Sequence, residues 1–275
     1  MAIPKRVCDR ITGCLKPYQT VLAQQRDRDV SEADTVTIIK DLLSDLFGYD
    51  KYAELTSEHS IRGTYCDLAV KLDAKLAFLI EVKAIGVELK DGHVKQAIDY
   101  AANQGVDWVA LTNGIEWRLY RVLFQKPIDK QEIATFNLLQ MSARNKGDLE
   151  KLYLLTREGF TKSALAEYSD RKEATSRYML AALILGSEAV KTTLRREIRR
   201  VSDLLVEPEV IDRMLREEVL KRDAIEGPEA DGAAKRVARR ADRNITKAGK
   251  AAPAAGMEFH PPGAGLAGET GVARG

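Results

Sequence analysis

Hydrophobic positions along the chain change period four times. Val36, Ile39, Leu42, Leu43, Leu46 and Phe47 recur at three- and four-residue intervals, the one-faced pattern of an amphipathic helix. Gly48 stops that helix, Ser31 precedes it as a fair N-cap, and Asp34 stands where a capping box places an acid. Upstream, Lys5 to about Asp29 also reads as helical, with an interruption expected at Pro17. From Tyr52 to Phe124 apolar and polar residues alternate instead. "YAELTSEHSIRG" predicts a strand, and "GTYCDLAVKLDAKLAFLIEVKAIG" predicts two more joined by a short polar turn. "DGHVKQAIDYAANQG" returns to the helical period and closes at Gly105. "DWVALTNGIEWRLYRVLF" is a strand pair around Asn113-Gly114, a strong hairpin signal. Beyond Pro127 the pattern is helical again, with Pro208 placed for the first turn of the last helix of that region.

Helix, three strands, helix and two strands predict an α/β fold, a mixed sheet flanked by helices, followed by a small all-α accessory domain. The expected boundaries are residues 1–140 for the sheet domain and 141–226 for the helical one. Residues 227–275, rich in Ala, Gly and Pro with the basic cluster "KRVARRADRNITKAGK", are expected to form a disordered tail.

Acidic residues interrupt the apolar strands. In "FLIEVKA", Phe78, Ile80, Val82 and Ala84 share one face, and Leu79, Glu81 and Lys83 share the other. A turn centred on Ala74 opposes Leu72 to Leu76, and the same register brings Asp67 opposite Glu81. Directly opposed residues lie about 5 Å apart at Cβ. Two carboxylates that close repel one another and shift each other's pKa unless a cation lies between them. Hard oxygen ligands of this kind suit magnesium or manganese. Lys83 could polarise or orient an attacking water. An exposed Glu-Lys ion pair is the plainer reading of Glu81 and Lys83, and the apolar strand with Asp67 in register weighs against it.

At 275 residues, 45% hydrophobic and 31% charged, the chain has the composition of a soluble globular protein. A formal net charge of +2 leaves the question of a polyanionic partner to the distribution of charge. No apolar core follows the basic start, and "YMLAALILG" is too short to span a bilayer, so neither a signal peptide nor a membrane partner is expected. Cys8, Cys14 and Cys66 fit no zinc or disulfide spacing, which points to a reduced, cytoplasmic protein with Cys66 as a packed thiol. His59 and His93 lack metal-ligand companions. His93 opens a helix and reads as a cap or an exposed side chain, and His59, Glu58 and Arg62 read as a solvated strand face. Trp108 and Trp117 are expected to pack against helices, and Asn113-Gly114 to be turn chemistry.

Asp67 with Glu81-Val82-Lys83 resembles the bipartite motif of the PD-(D/E)xK nuclease superfamily. Together, "SEADT", "GTYCDLAV", "FLIEVKA", "QAIDYA" and "LTNG…WRLY" resemble the N-terminal nuclease domain of type I restriction-enzyme R subunits and of stand-alone predicted type IV restriction endonucleases, over about residues 20 to 140. The resemblance implies a restriction-endonuclease-like sheet. It implies metal carboxylates at Asp67 and Glu81, a further ligand from the Val82 carbonyl, and a catalytic lysine at Lys83. Glu32 matches an acid that completes such metal sites, with Asp34 as its rival. Gln96 and Tyr100 match a Q-x-x-x-Y pattern, and their spacing places them on one helix face. The activity implied is Mg2+-dependent (or Mn2+-dependent) hydrolysis of DNA phosphodiesters in restriction of foreign DNA. The alternative is a non-catalytic DNA-binding or helicase-docking subunit. The sequence carries no G-x-x-x-x-G-K-[ST] run, so any ATP-dependent step would need a helicase or methyltransferase partner subunit. Cutting two strands with one site per chain would favour a homodimer.

Overall fold

The structure, a computed structural model, describes residues 2–61 and 64–250; the side chains of 58–61, 64–65 and 241–250 fall outside that description. The expectations for the side chains of His59, Glu58 and Arg62 and for residues 251–275 therefore lie outside the described residues.

The chain divides into two compact units, 1–175 and 176–275, where the sequence pattern places a boundary near 140. The first unit opens with α1 (Lys5–Asp27) and α2 (Glu32–Asp45). Helix α1 runs through Pro17 without the expected interruption. Pro17 is exposed, and the residue four positions earlier is Gly13, so the carbonyl left without an N–H partner is on the solvent side. Buried Ile11, Leu15 and Leu22 hold the helix on both sides of it. Helix α2 starts as expected: Ser31 Oγ accepts from the Asp34 N–H at 3.2 Å. It ends where Gly48 turns to φ +82°, and the Phe47, Gly48 and Tyr49 N–H groups donate back into its last turn.

Six strands follow in one sheet, in the order β1-β2-β3-β4-β5-β6. They are β1 (Leu55–Ile61), β2 (Thr64–Leu72), β3 (Lys75–Val82), β4 (Trp108–Thr112), β5 (Glu116–Leu123) and β6 (Asp129–Asn137). All neighbours pair antiparallel except β3 and β4, which are parallel and joined by the crossover helix α3 (Asp91–Gln104). β6 is the strand that the sequence pattern concealed. It pairs only with β5, and its exposed polar positions Asp129, Gln131 and Glu132 mask the buried Ile133, Ala134 and Phe136. Three helices complete this unit: α4 (Lys146–Leu155), α5 (Arg157–Thr161) and α6 (Ala164–Ala174).

The sheet has a core on each face. Leu68, Ile80, Ala110 and Trp117 pack with Ile11, Leu22 and Leu42 of α1 and α2. Leu79, Val109 and Tyr120 pack with Val94, Ala97 and Ala101 of α3. Trp117 is fully buried, meets Phe47 edge-on at 5.7 Å and stacks with Phe136, as expected for a packing residue. Trp108 is half-buried beneath the Arg121 guanidinium.

The β2–β3 hairpin reaches the expected register by a different route. Asp73 and Ala74 both take positive φ, 49° and 63°, so the turn is a tight two-residue one, and Leu72 pairs with Lys75 rather than Leu76. Lys71 then pairs with Leu76, but Val70 pairs with Phe78, leaving Ala77 as a bulge. The bulge restores the residue that the tighter turn removed. Ala69 faces Leu79 and Leu68 faces Ile80, and one further step brings Asp67 across from Glu81. Deleting Ala77 shifts β3 by one residue and turns its buried face outward. The expected result is loss of a cooperative thermal transition in circular dichroism, whereas Ala77→Ser should melt close to the parent.

The second unit is helical: α7 (Arg177–Gly186), α8 (Glu188–Ser202), α9 (Pro208–Met214), a π turn at Leu215–Val219, α10 (Arg222–Ile225) and α11 (Pro228–Lys250). Pro208 occupies the first helical position of α9, as its rigid φ favours. Helix α11 falls in the segment whose composition predicts a disordered tail. Ala230 and Ala233 are buried, so packing of its small-residue face supplies what composition alone does not show. No described helix is long and apolar enough to cross a membrane.

Candidate active site

The charged residues gather where β3 ends. The Lys83 N–H donates to the Thr112 carbonyl at 2.9 Å, which extends the parallel pairing one residue past Val82 and fixes the backbone there. Asp67 on β2 reaches the same place: its Oδ2 accepts the Val82 N–H at 2.7 Å. The Lys83 ammonium turns back on the strand and donates to Glu81 Oε1 and to the Val82 carbonyl, both at 2.8 Å. Glu32 Oε2, from the first turn of α2, lies 3.5 Å from the same nitrogen. Three oxygen atoms from two elements thus surround one cationic centre beside Asp67.

Geometry separates the two acids in the first turn of α2. Asp34 Oδ2 is 2.7 Å from Ser31 Oγ and belongs to the helix cap, whereas Glu32 faces Lys83. Glu81 is only 13% exposed. Burial raises its carboxyl pKa, the Lys83 hydrogen bond lowers it, and the nearby Asp67 and Glu32 charges raise it again, for a net upward shift. Burial pulls the Lys83 ammonium down, but Glu81, Glu32 and Asp67 outweigh it and the net shift is upward. The ammonium is therefore held charged by the acids around it.

Tyr100 is buried on α3, near enough to Cys66 for the thiol to raise its phenol pKa, after burial itself. Gln96, four residues earlier, is exposed, and no hydrogen bond joins it to the acids among the described residues. Cys66 is a packed thiol: its Sγ lies 3.1 Å from the Leu68 carbonyl and 3.2 Å from that of Ile80, and burial pushes its pKa up to about 12. His93 caps α3, its Nδ1 accepting the Lys90 N–H at 3.2 Å. Asn113-Gly114 is turn chemistry: Asn113 Oδ1 accepts the Ile115 and Glu116 N–H groups, and Gly114 has φ +85°.

One neighbour was not visible in the sequence pattern. Glu81 pairs with Leu111, and Leu111 with Arg118, so Arg118 shares the sheet face of Glu81 two strands away, about 10 Å at Cα. Its Nε donates to Glu116 Oε1 at 2.7 Å. The alternation in "WRLY" places Arg118 opposite buried Trp117 and Leu119, but the strand order is needed to bring it beside β3.

The donor set has the chemistry of a hard-cation site: two carboxylates and a carbonyl around a positive charge, with a third carboxylate adjacent. No group of three or more His, Cys, Asp and Glu side chains among the described residues is close enough to enclose a metal.

Fold and site together define an α/β mixed-sheet domain carrying an acid–acid–lysine cluster where two parallel strands end. Residues 39–135 match the family model described as "Type I restriction enzyme R protein N terminus (HSDR_N)", and the resemblance drawn from the sequence holds over that segment. No curated protein and no solved structure matches the chain.

Proposed function

We propose that this chain is a metal-dependent nuclease that hydrolyses DNA phosphodiesters, working in the cytoplasm as part of a restriction system. The observation that carries the reading is the convergence of Glu81, Glu32 and the Val82 carbonyl on the Lys83 ammonium, beside Asp67. Asp67, Glu81, Glu32 and the Val82 carbonyl are the groups that would hold Mg2+ or Mn2+. Such an ion, when bound, neutralises charge on a phosphate and lowers the pKa of a bound water. Lys83 presents N–H donors where charge develops on the phosphoryl oxygens. In this reading Gln96, exposed on α3, would contact substrate, and Tyr100, buried on the same helix, would position the site. A helicase or methyltransferase subunit and a second copy of the chain are the partners this reading calls for.

The test is cleavage of supercoiled plasmid, methylated and unmethylated, by the purified full chain with magnesium, manganese or chelator. Nicking or linearisation that requires the metal is the expected result. The second reading is a DNA-binding or helicase-docking subunit that does not cut. DNA retention without cleavage under every metal condition would establish that reading and remove the first.

A further inference from the structure

Helix α11 separates its residues cleanly by type. At about 100° per residue, Ala230, Ala233, Val237, Ala241 and Ala248 fall on one arc of the helix. Ala230 and Ala233 are buried, and α7 approaches so closely that a Cβ added at Gly186 would lie 3.3 Å from Val237. The small-residue face is therefore used within its own unit. A second arc of the helix is cationic. From Lys235 to Lys250 the helix carries seven Lys and Arg and one acid, Asp242. Those bases occupy an arc of about 140°, with Asp242 just outside it. Lys235, Arg239 and Arg240 are exposed.

The other basic helix of this unit is α8. On α8, Lys191 pairs with Asp212 at 3.1 Å, Arg200 with Glu197 at 2.7 Å, and Arg195 donates to the Val206 carbonyl. Much of its charge is answered inside the unit. The α11 backbone rises about 23 Å from Lys235 to Lys250, and the sequence keeps its bases within that one arc of the helix. Duplex DNA offers one negative charge per roughly 1.7 Å of axis, so a rigid cationic helix face of that length meets several phosphates at once.

We propose that the basic face of α11 is a docking surface for the phosphate backbone of duplex nucleic acid, independent of base sequence. The assignment deepens the DNA-directed reading above by naming where the chain holds its substrate outside the acid cluster. Charge spacing favours a duplex over a membrane surface, because Ala230, Ala233 and Val237, the described side chains of the apolar arc that a bilayer would take up, are buried or lie beside Gly186 of α7.

The test is fluorescence anisotropy of a labelled 30-base-pair duplex with the full chain in chelator, as a function of salt. The combined Lys235→Gln, Arg239→Gln and Arg240→Gln variant should bind on the order of tenfold or more weakly. Its plot of log K against log salt should be shallower by about 0.9 for each phosphate that the helix no longer neutralises. Lys235→Arg with Arg239→Lys and Arg240→Lys keeps charge and should keep parent affinity, which separates charge from folding damage. The same charge removed from α8, as Arg196→Gln, Arg199→Gln and Arg200→Gln, should change binding much less. Unchanged affinity and slope in the α11 variant would overturn the proposal. So would an equal loss of affinity in the α8 variant, which would mean general attraction. Binding to phosphatidylserine vesicles that excess duplex does not displace would assign the face to a membrane. Because the assay needs no metal or cleavage, a failure of the nuclease reading leaves its outcome legible.

Discussion

Lys83→Ala should lower metal-dependent plasmid cleavage by about 10²–10³-fold, the loss typical of removing one preorganised donor from a developing negative charge. The argument is geometric. The Lys83 backbone is held by its N–H bond to Thr112, and its ammonium lies among Glu81, the Val82 carbonyl and Glu32, so the side chain is already positioned beside the acids that would hold the metal. Lys83→Arg should recover little, because a planar guanidinium cannot place its charge at the point between Glu81, Val82 and Glu32. Single-turnover cleavage rates at saturating metal read the effect, and thermal melts confirm that the fold survives. Rates within about threefold of the parent would remove Lys83 from the chemistry.

Among single substitutions, the largest effect on stability is expected away from that cluster, at Arg10. Its Nε donates to the Leu46 carbonyl and one Nη to that of Phe47, which satisfies the C-terminal end of α2. The guanidinium also forms a bidentate pair with Glu158, at 2.9 and 2.6 Å, tying α1 to α5. Glu158 is only 13% exposed, so Arg10→Ala leaves a poorly solvated carboxylate with Arg6 at 3.9 Å and takes the side-chain donor from the Leu46 carbonyl, while the Phe47 carbonyl keeps the Arg157 N–H. The expected loss is about 2–4 kcal/mol at neutral pH, read by urea denaturation.

The pair also has a pH signature. Its hydrogen bonds to Arg10 hold the Glu158 carboxyl below its ordinary value of 4.5. A depressed carboxylate contributes stability that is present above the unfolded pKa and is lost as pH falls through the folded one. The parent should therefore lose stability on acidification below about pH 4.5 more steeply than Arg10→Ala does. Parallel acid profiles for the two proteins would show that the pair does not contribute through charge.

Much of the first unit was legible in the sequence because its signals are local. The three- and four-residue spacing of α2, the Ser31 cap, the alternation in β3 and the Asn113-Gly114 turn each depend on residues a few positions apart. β6 was concealed because an edge strand buries one face and covers the rest with polar residues that resemble a loop. Helix α11 was concealed because alanine and glycine next to charge read as disorder until a neighbouring helix buries the small face. The unit boundary moved for a related reason: the sequence shows helices α4 to α6, but only packing shows that Leu152, Leu155 and Leu165 share the sheet's core.

The candidate site divides along the same line. Alternation alone placed Glu81 and Lys83 on one face, and the chain itself named Asp67 as their counterpart. Their opposition depends on a tight turn and a bulge whose one-residue shifts cancel, and neither can be read from local propensity. Glu32 and Asp34 are equivalent in sequence, and only the approach of α2 to the end of β3 separates the helix cap from the lysine's partner. Arg118 joins the same face through β4, across a parallel pairing formed by residues far apart in the chain. Local periodicity therefore determined the elements and the kinds of charge they carry. Tertiary pairing decided which charges meet, because contact across strands is set by register and crossover, and those are fixed only when the two cores close.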